Sequence, residues 1–160
     1  MEPSPTAGQL SQMGPRKRAN YISDLLHWVE LCGTEISRGA REVAKSDSRP
    51  ALRAAMVAGE MGRFREFHYP AYRALWSEAR DLSRREVLAE LFEGAGIDAE
   101  VALARAESEE LERRLQEQTE AAIDRGVFGV PTLFVGDEMF WGNDRLELVR
   151  FHIERAREGC

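Results

Sequence analysis

Gly126-Val-Phe-Gly-Val130-Pro131-Thr-Leu-Phe-Val135-Gly136-Asp137-Glu-Met-Phe-Trp-Gly142-Asn143-Asp144-Arg145 breaks with everything that precedes it in the chain. Upstream, apolar residues recur at helical spacing. Here Val127 to Val135 is an apolar, β-branched run, which reads as a strand. Pro131 falls inside that run. A proline near the start of a strand costs a ladder hydrogen bond, and the usual reason to keep one is a cis peptide bond or a deliberately free amide and carbonyl. Gly136-Asp137 is a two-residue hairpin turn, and Glu138 to Trp141 is the returning strand. Asn143 or Asp144 then caps a last helix, with Leu146, Val149 and Ile153 on one face. A free strand edge beside such a proline can hydrogen-bond the backbone of a peptide-like ligand. An amide and a carboxylate at a helix start can hold charged main-chain groups. Taken singly, the plainer readings are favoured: an edge strand without a ligand, and an ordinary cap. The combination and its order speak for a site.

The rest of the chain reads as helices. Ser108 opens a long charged helix through Arg125, with Leu111, Leu115, Ala122 and Ile123 inward. Its acidic start and later arginines suit the helix dipole, and its charges read as a solvated face. Asp98 caps a short helix to about Arg105. Ser83 and Glu86 have the spacing of a capping box, followed by Val87, Leu88, Leu91 and Phe92 as a buried face. Phe64, Phe67, Tyr72, Leu75 and Trp76 share a helix that Pro70 should kink or divide. Ser48 to Ala58 is helical with Leu52, Ala55 and Met56 inward, and residues 34–47 read as a loop. Pro15 opens the first helix, Ile22, Leu25, Leu26 and Val29 fall on one face, and Gly33 ends it. The expected organisation is a tail or loop over 1–14, a helical region over 15–125 and a ββα unit over 126–158.

Composition narrows the function. The chain has 160 residues, 43% hydrophobic and 31% charged, which is enough for a real core. A net charge of −6 without a basic stripe argues against nucleic acid. No apolar run reaches the roughly 20 residues of a membrane helix, and Met1 to Leu10 lacks the plan of a secretory signal. The expectation is a cytoplasmic protein with no membrane partner. Cys32 and Cys160 form no C-x-x-C pair. His27, His68 and His152 are scattered singly, none at zinc-ligand spacing, so no metal site is expected.

Three segments carry a resemblance. They are Pro15-Arg16-Lys17 with Tyr21-Ile-Ser-Asp24-Leu, then Tyr72-Arg-Ala-Leu-Trp76 with Arg80-Asp81-Leu-Ser83 and Glu86-Val-Leu, and finally Arg125 through Arg145. Together they resemble the kappa-class glutathione transferases and the related 2-hydroxychromene-2-carboxylate isomerases of the DsbA-like thioredoxin superfamily. The resemblance implies an α/β, mostly helical fold: a thioredoxin-like core with a helical domain inserted between an N-terminal βαβ half and a C-terminal ββα half. It implies glutathione as cofactor. Val130 would offer backbone hydrogen bonds to the cysteinyl unit, and Pro131 would be the cis-proline. Asn143 and Asp144 would hold the γ-glutamyl end, and Lys17 would approach the glycyl carboxylate. By itself Lys17 reads as an exposed basic residue in a first helical turn. Trp76, Phe128 and Phe140 are candidates for an aromatic pocket wall, with a core role the plainer reading for each.

The family pattern also includes a first strand, a serine-bearing turn, a helix and a second strand that this sequence does not carry. Two strands alone make a marginal sheet, and the inner one would keep an open edge. Truncation is favoured over completion by a partner chain and over a degenerate relative. No catalytic residue is assigned. The implied function is glutathione-dependent isomerisation of the 2-hydroxychromene-2-carboxylate type in aromatic catabolism, or glutathione transfer, weak or absent in this chain alone. The substrate would be a small aromatic molecule, and a homodimer or a partner strand would complete the sheet. One alternative is a DsbA-like thiol–disulfide oxidoreductase, against which Asn143-Asp144-Arg145 after Trp141-Gly142 counts. The other is a non-catalytic helical interaction module.

Overall fold

The structure is a computed structural model that describes residues 14–158. The expected tail, apart from Gly14, and Cys160 lie outside the described residues. The chain divides between Ser108 and Glu109 into two compact units. The expectation of a mostly helical fold with a small sheet is met.

The N-terminal unit contains α1 (Pro15–Leu31), α2 (Ala40–Val43), α3 (Arg49–Glu60), α4 (Phe64–Trp76), α5 (Arg85–Gly94) and α6 (Ala99–Ala106). Its core is built where α3 packs on α4 and α6, and α5 packs on α4 and α6. Val87, Leu88, Leu91 and Phe92 of α5 are all buried, as their spacing predicts. Phe92 and Phe67 are both buried, with ring centroids 4.9 Å apart and planes tilted by 35°. This is a favourable aromatic arrangement.

Alanines supply most of the inner faces of α3 and α4, beside Val57 and Phe67. Ala54, Val57 and Ala58 are the buried residues of α3, while Leu52 is 49% exposed. On α4 the buried residues are Phe67, Ala71 and Ala74, with Phe64 and Tyr72 left outside. Alanines let helix backbones approach closely, so the densest packing selects them. Pro70 sits inside α4, and helical structure continues through it. Its ring removes the amide that would reach Glu66, an exposed residue whose carbonyl can turn to water.

Two further expectations are corrected. Ser83 does not cap α5: the N-cap is Arg84, and the Ser83 amide and hydroxyl both donate to Asp81 Oδ1, at 2.9 and 2.7 Å. Asp81 captures the serine locally before the helix can use it. Those hydrogen bonds from Ser83 hold the Asp81 carboxyl below the usual carboxylate range. The segment 34–47 is not all loop, since it contains the single turn α2 with Ala40 fully buried. The segment is tied to the end of α4, because Ser37 donates its amide to the Trp76 carbonyl at 2.7 Å and Ser77 Oγ donates to the Glu35 carbonyl at 2.8 Å.

Helix α1 forms over the predicted span, but none of its residues is buried, and Ile22, Leu25 and Leu26 are exposed. At α6 the predicted cap is present: Asp98 accepts the Val101 amide at 3.0 Å. Asp98→Ala is expected to lower stability by about 1 kcal/mol. Urea unfolding followed by circular dichroism checks this, with the slope unchanged and the midpoint reduced.

The C-terminal unit contains α7 (Glu109–Asp124), β1 (Thr132–Val135), β2 (Glu138–Trp141), a 3-10 turn (Asn143–Arg145) and α8 (Leu146–Glu158). Among the described residues the sheet has two strands, antiparallel, with Thr132 opposite Trp141 and Val135 opposite Glu138. Gly136 takes φ 60°, which the first position of a tight primed turn requires. The strand is shorter than the predicted Val127–Val135, and Pro131 precedes it. The proline therefore interrupts no ladder. Phe140 packs its ring 5.0 Å from that of His152, which places α8 against the Leu133/Phe140 face. Of the three residues expected to face inward on α8, Val149 is buried while Leu146 and Ile153 are exposed. Ile123 of α7 is likewise exposed rather than inward.

Candidate functional site

The site is built around the entry to β1. The Val130–Pro131 peptide bond is cis. Val130 is 87% exposed, and among the described residues no backbone hydrogen bond uses its amide or its carbonyl. The two groups are exposed at the open edge of the hairpin. The loop that presents them is fixed on both sides. Thr132 Oγ1 donates to the Gly129 carbonyl at 2.5 Å, and the Gly142 amide donates to the Pro131 carbonyl at 3.0 Å.

That second bond joins the two halves of the site. It ties the cis-proline to the residue just before Asn143, so Val130, Pro131, Asn143 and Asp144 come together at one end of the hairpin. Asn143 and Asp144 do not cap α8 as predicted. They lie in the 3-10 turn, whose N-cap is Gly142 at φ 114°. A β-carbon at Gly142 would stand 2.5 Å from Asp144 Oδ1, so the carboxylate is folded back over the glycine. Asp144 also pairs with Arg145 at 3.6 Å, an exposed and therefore weak ion pair. Lys17 lies in the first turn of α1, in the N-terminal unit, and is exposed.

An aromatic cluster adjoins this end. Phe128 and Trp141 have ring centroids 5.1 Å apart, and the Trp141 indole lies on the Gly129 backbone. A β-carbon at Gly129 would meet the indole Nε1 at 2.6 Å. Phe128, whose plainer reading is core, is 60% exposed, and Trp141 is 52% exposed. Trp141 was not singled out from the sequence. The signal was Gly129 between two large apolar residues, a position where a side chain or a ligand approaches backbone closely. Phe140 is half-buried on His152, and Trp76 lies at the end of α4 in the other unit. Among the described residues no group of three or more His, Cys, Asp or Glu could hold a metal ion, and no helix is long and apolar enough to cross a membrane.

A ββα unit entered through a cis-proline, with an unpaired amide and carbonyl just before it and a helical unit preceding it in sequence, marks a thioredoxin-like protein. Comparison with known proteins agrees. A profile for the DSBA-like thioredoxin domain matches residues 1–154. A 2-hydroxychromene-2-carboxylate isomerase of Pseudomonas sp. (strain C18) is 32% identical over 157 residues, covering 94% of this chain and 70% of that protein. One from Pseudomonas putida is 32% identical over 143 residues, covering 86% and 68%. A solved structure of selenomethionine 2-hydroxychromene-2-carboxylate isomerase matches with a TM-score of 0.75 at 29% identity, covering 94% of this chain and 75% of that one. The chain belongs to the DsbA-like thioredoxin domain family, on the branch of the 2-hydroxychromene-2-carboxylate isomerases.

Proposed function

We propose that the chain holds reduced glutathione and serves a glutathione-dependent isomerisation of the 2-hydroxychromene-2-carboxylate type in aromatic catabolism. The observation that carries this is the unpaired amide and carbonyl of Val130, held by the Gly142–Pro131 hydrogen bond beside Asn143 and Asp144. The residues fit the group. Val130 offers one donor and one acceptor to the cysteinyl backbone, as an added strand would. Asp144 supplies a carboxylate for the γ-glutamyl ammonium, and the Asn143 amide can donate to the adjacent carboxylate. Lys17 is assigned to the glycyl carboxylate on the family resemblance.

When bound, glutathione supplies a thiol that adds reversibly to an electrophilic carbon of an unsaturated aromatic acid. The work of this chain's residues is to bind and orient, which converts an encounter in solution into a positioned one. No residue here is assigned the hydroxyl that would stabilise a thiolate, so the expected rate for this chain alone is low. The edge of β1 away from β2 suits completion by a second copy or a partner strand. A cytoplasmic location fits a cofactor kept reduced there.

The test follows 2-hydroxychromene-2-carboxylate by its absorbance with and without reduced glutathione. A rate that requires the thiol supports the reading. A rate indifferent to it, or thiol–disulfide exchange on a dithiol substrate, overturns it.

A further inference from the structure

Val149 is the buried residue of α8, and its neighbours along the helix fall to either side of it. Each residue turns the chain by about 100° around the helix axis. His152 therefore lies on one flank, and Leu146 and Ile153 lie on the other. The His152 ring packs on Phe140 of β2, so its flank is the β2 side. Leu146 and Ile153 face the side of β1 and its open edge, where further strands would extend the sheet. Beyond His152 the β2 side of the helix continues into Leu148, Phe151 and Arg155, one stripe at i, i+3 and i+7. Leu148 and Phe151 are both exposed. The Arg155 guanidinium stands 5.7 Å from the Phe151 ring centroid. Arg150 pairs with Glu147 and Glu154, whereas Arg155 makes no ion pair among the described residues.

The strand on this same side has a free edge. Residues of an antiparallel pair alternate between bonding the partner strand and turning amide and carbonyl outward. The Gly142 amide bonds the Pro131 carbonyl, which sets the alternation. Glu138 and Phe140 therefore bond β1, while Met139 and Trp141 turn their backbone groups outward from β2.

The order of charge along α8 selects the occupant of this surface. Glu147 lies in the first turn and Arg155 in the last, with Leu148 and Phe151 between them. Two such helices laid antiparallel place acid beside base at both ends and apolar against apolar in the middle, with their dipoles opposed. A two-fold axis achieves this with the same patch on both sides. The same axis, passing beside Phe140, sets the outward groups of Met139 in one strand against those of Trp141 in the other. An unrelated protein would have to supply both a strand edge and the matching charge order. A second copy supplies both by symmetry.

We infer that the β2 edge and the α8 stripe of Leu148, Phe151 and Arg155 together bind a second copy of this chain, two-fold and antiparallel. The inference goes beyond the proposed function and does not rest on it. It leaves the β1 edge free in each copy.

The experiment is sedimentation equilibrium of the full chain from about 1 to about 100 μM, a range over which wild type is expected to pass from monomer to dimer. Phe151→Arg, Glu147→Arg and Arg155→Glu are compared with the double reversal of Glu147→Arg and Arg155→Glu, and with Ile153→Arg on the opposite flank. Circular dichroism melts show that each variant is folded. The dimer dissociation constant is expected to rise at least about tenfold in Phe151→Arg and in each single charge reversal. It is expected to return to within about threefold of wild type in the double reversal, and to stay within about threefold in Ile153→Arg. Exchange of the Met139 and Trp141 amides is expected to slow as concentration rises. A wild-type chain that stays monomeric throughout overturns the inference. So does a dimer that survives Phe151→Arg, one that the double reversal fails to restore, or one lost in Ile153→Arg instead, which would place the contact at the β1 edge.

Discussion

Phe92→Ala is expected to remove about 3–5 kcal/mol of stability from the helical unit. Phe92 is fully buried on α5 and packs against the Phe67 ring of α4. Truncation loses the transfer energy of the ring and leaves a void. The Phe67 ring beside it is itself buried and cannot fill that void without leaving its own place. Domains of this size hold only about 5–15 kcal/mol in total, so the variant should be partly unfolded at ambient temperature. Phe92→Leu keeps much of the volume and should lose distinctly less. Urea titration of the three proteins checks this. A loss below about 1 kcal/mol for the alanine variant would mean that this pair is not the centre of the core.

Gly142→Ala should have the largest effect on the site. Two costs fall on one position. The φ of 114° is a conformation that side-chain-bearing residues rarely adopt, and the new β-carbon would stand 2.5 Å from Asp144 Oδ1. A backbone outlier of this kind costs about 1–3 kcal/mol, which the chain can relieve only by moving the 3-10 turn. That movement would displace Asp144 and weaken the bond from the Gly142 amide to the Pro131 carbonyl. Glutathione affinity is expected to drop at least about tenfold, while the helical unit, which does not contain this turn, keeps its far-ultraviolet signal. Calorimetry and amide hydrogen exchange on the same sample separate the two effects. Unchanged affinity together with an unchanged hairpin would show that the glycine is not what sets the turn.

These features were unequally legible in the sequence. The face of Val87, Leu88, Leu91 and Phe92 was legible because helical spacing marks it and two neighbouring helices cover it, whereas Ile22, Leu25 and Leu26, at the same spacing on α1, are exposed. The inner faces of α3 and α4 are harder to read, because alanine is chosen there for closeness and the larger Leu52 and Tyr72 look like better core residues. Ser83 and Glu86 satisfy the capping pattern, yet Asp81 competes for the serine at shorter range. The order of cis-proline, hairpin and Asn-Asp is local and chemical, so that end of the hairpin could be read from the sequence. What brings its parts together, one amide of Gly142 on the carbonyl of Pro131, is a non-local backbone bond that leaves no mark on residue type. Phe128 could be named as a pocket-wall candidate, with a core role the plainer reading, while Trp141 was not singled out, since exposure depends on whether anything packs over a ring.

The most direct measurement is a calorimetric titration of the purified chain with reduced glutathione, with Asp144→Ala alongside. Saturable binding that is lost in the variant, with both proteins equally folded by circular dichroism, is the result expected from Val130, Asn143 and Asp144 acting as one site. Absence of heat from the folded wild-type chain, or equal affinity in Asp144→Ala, would contradict it.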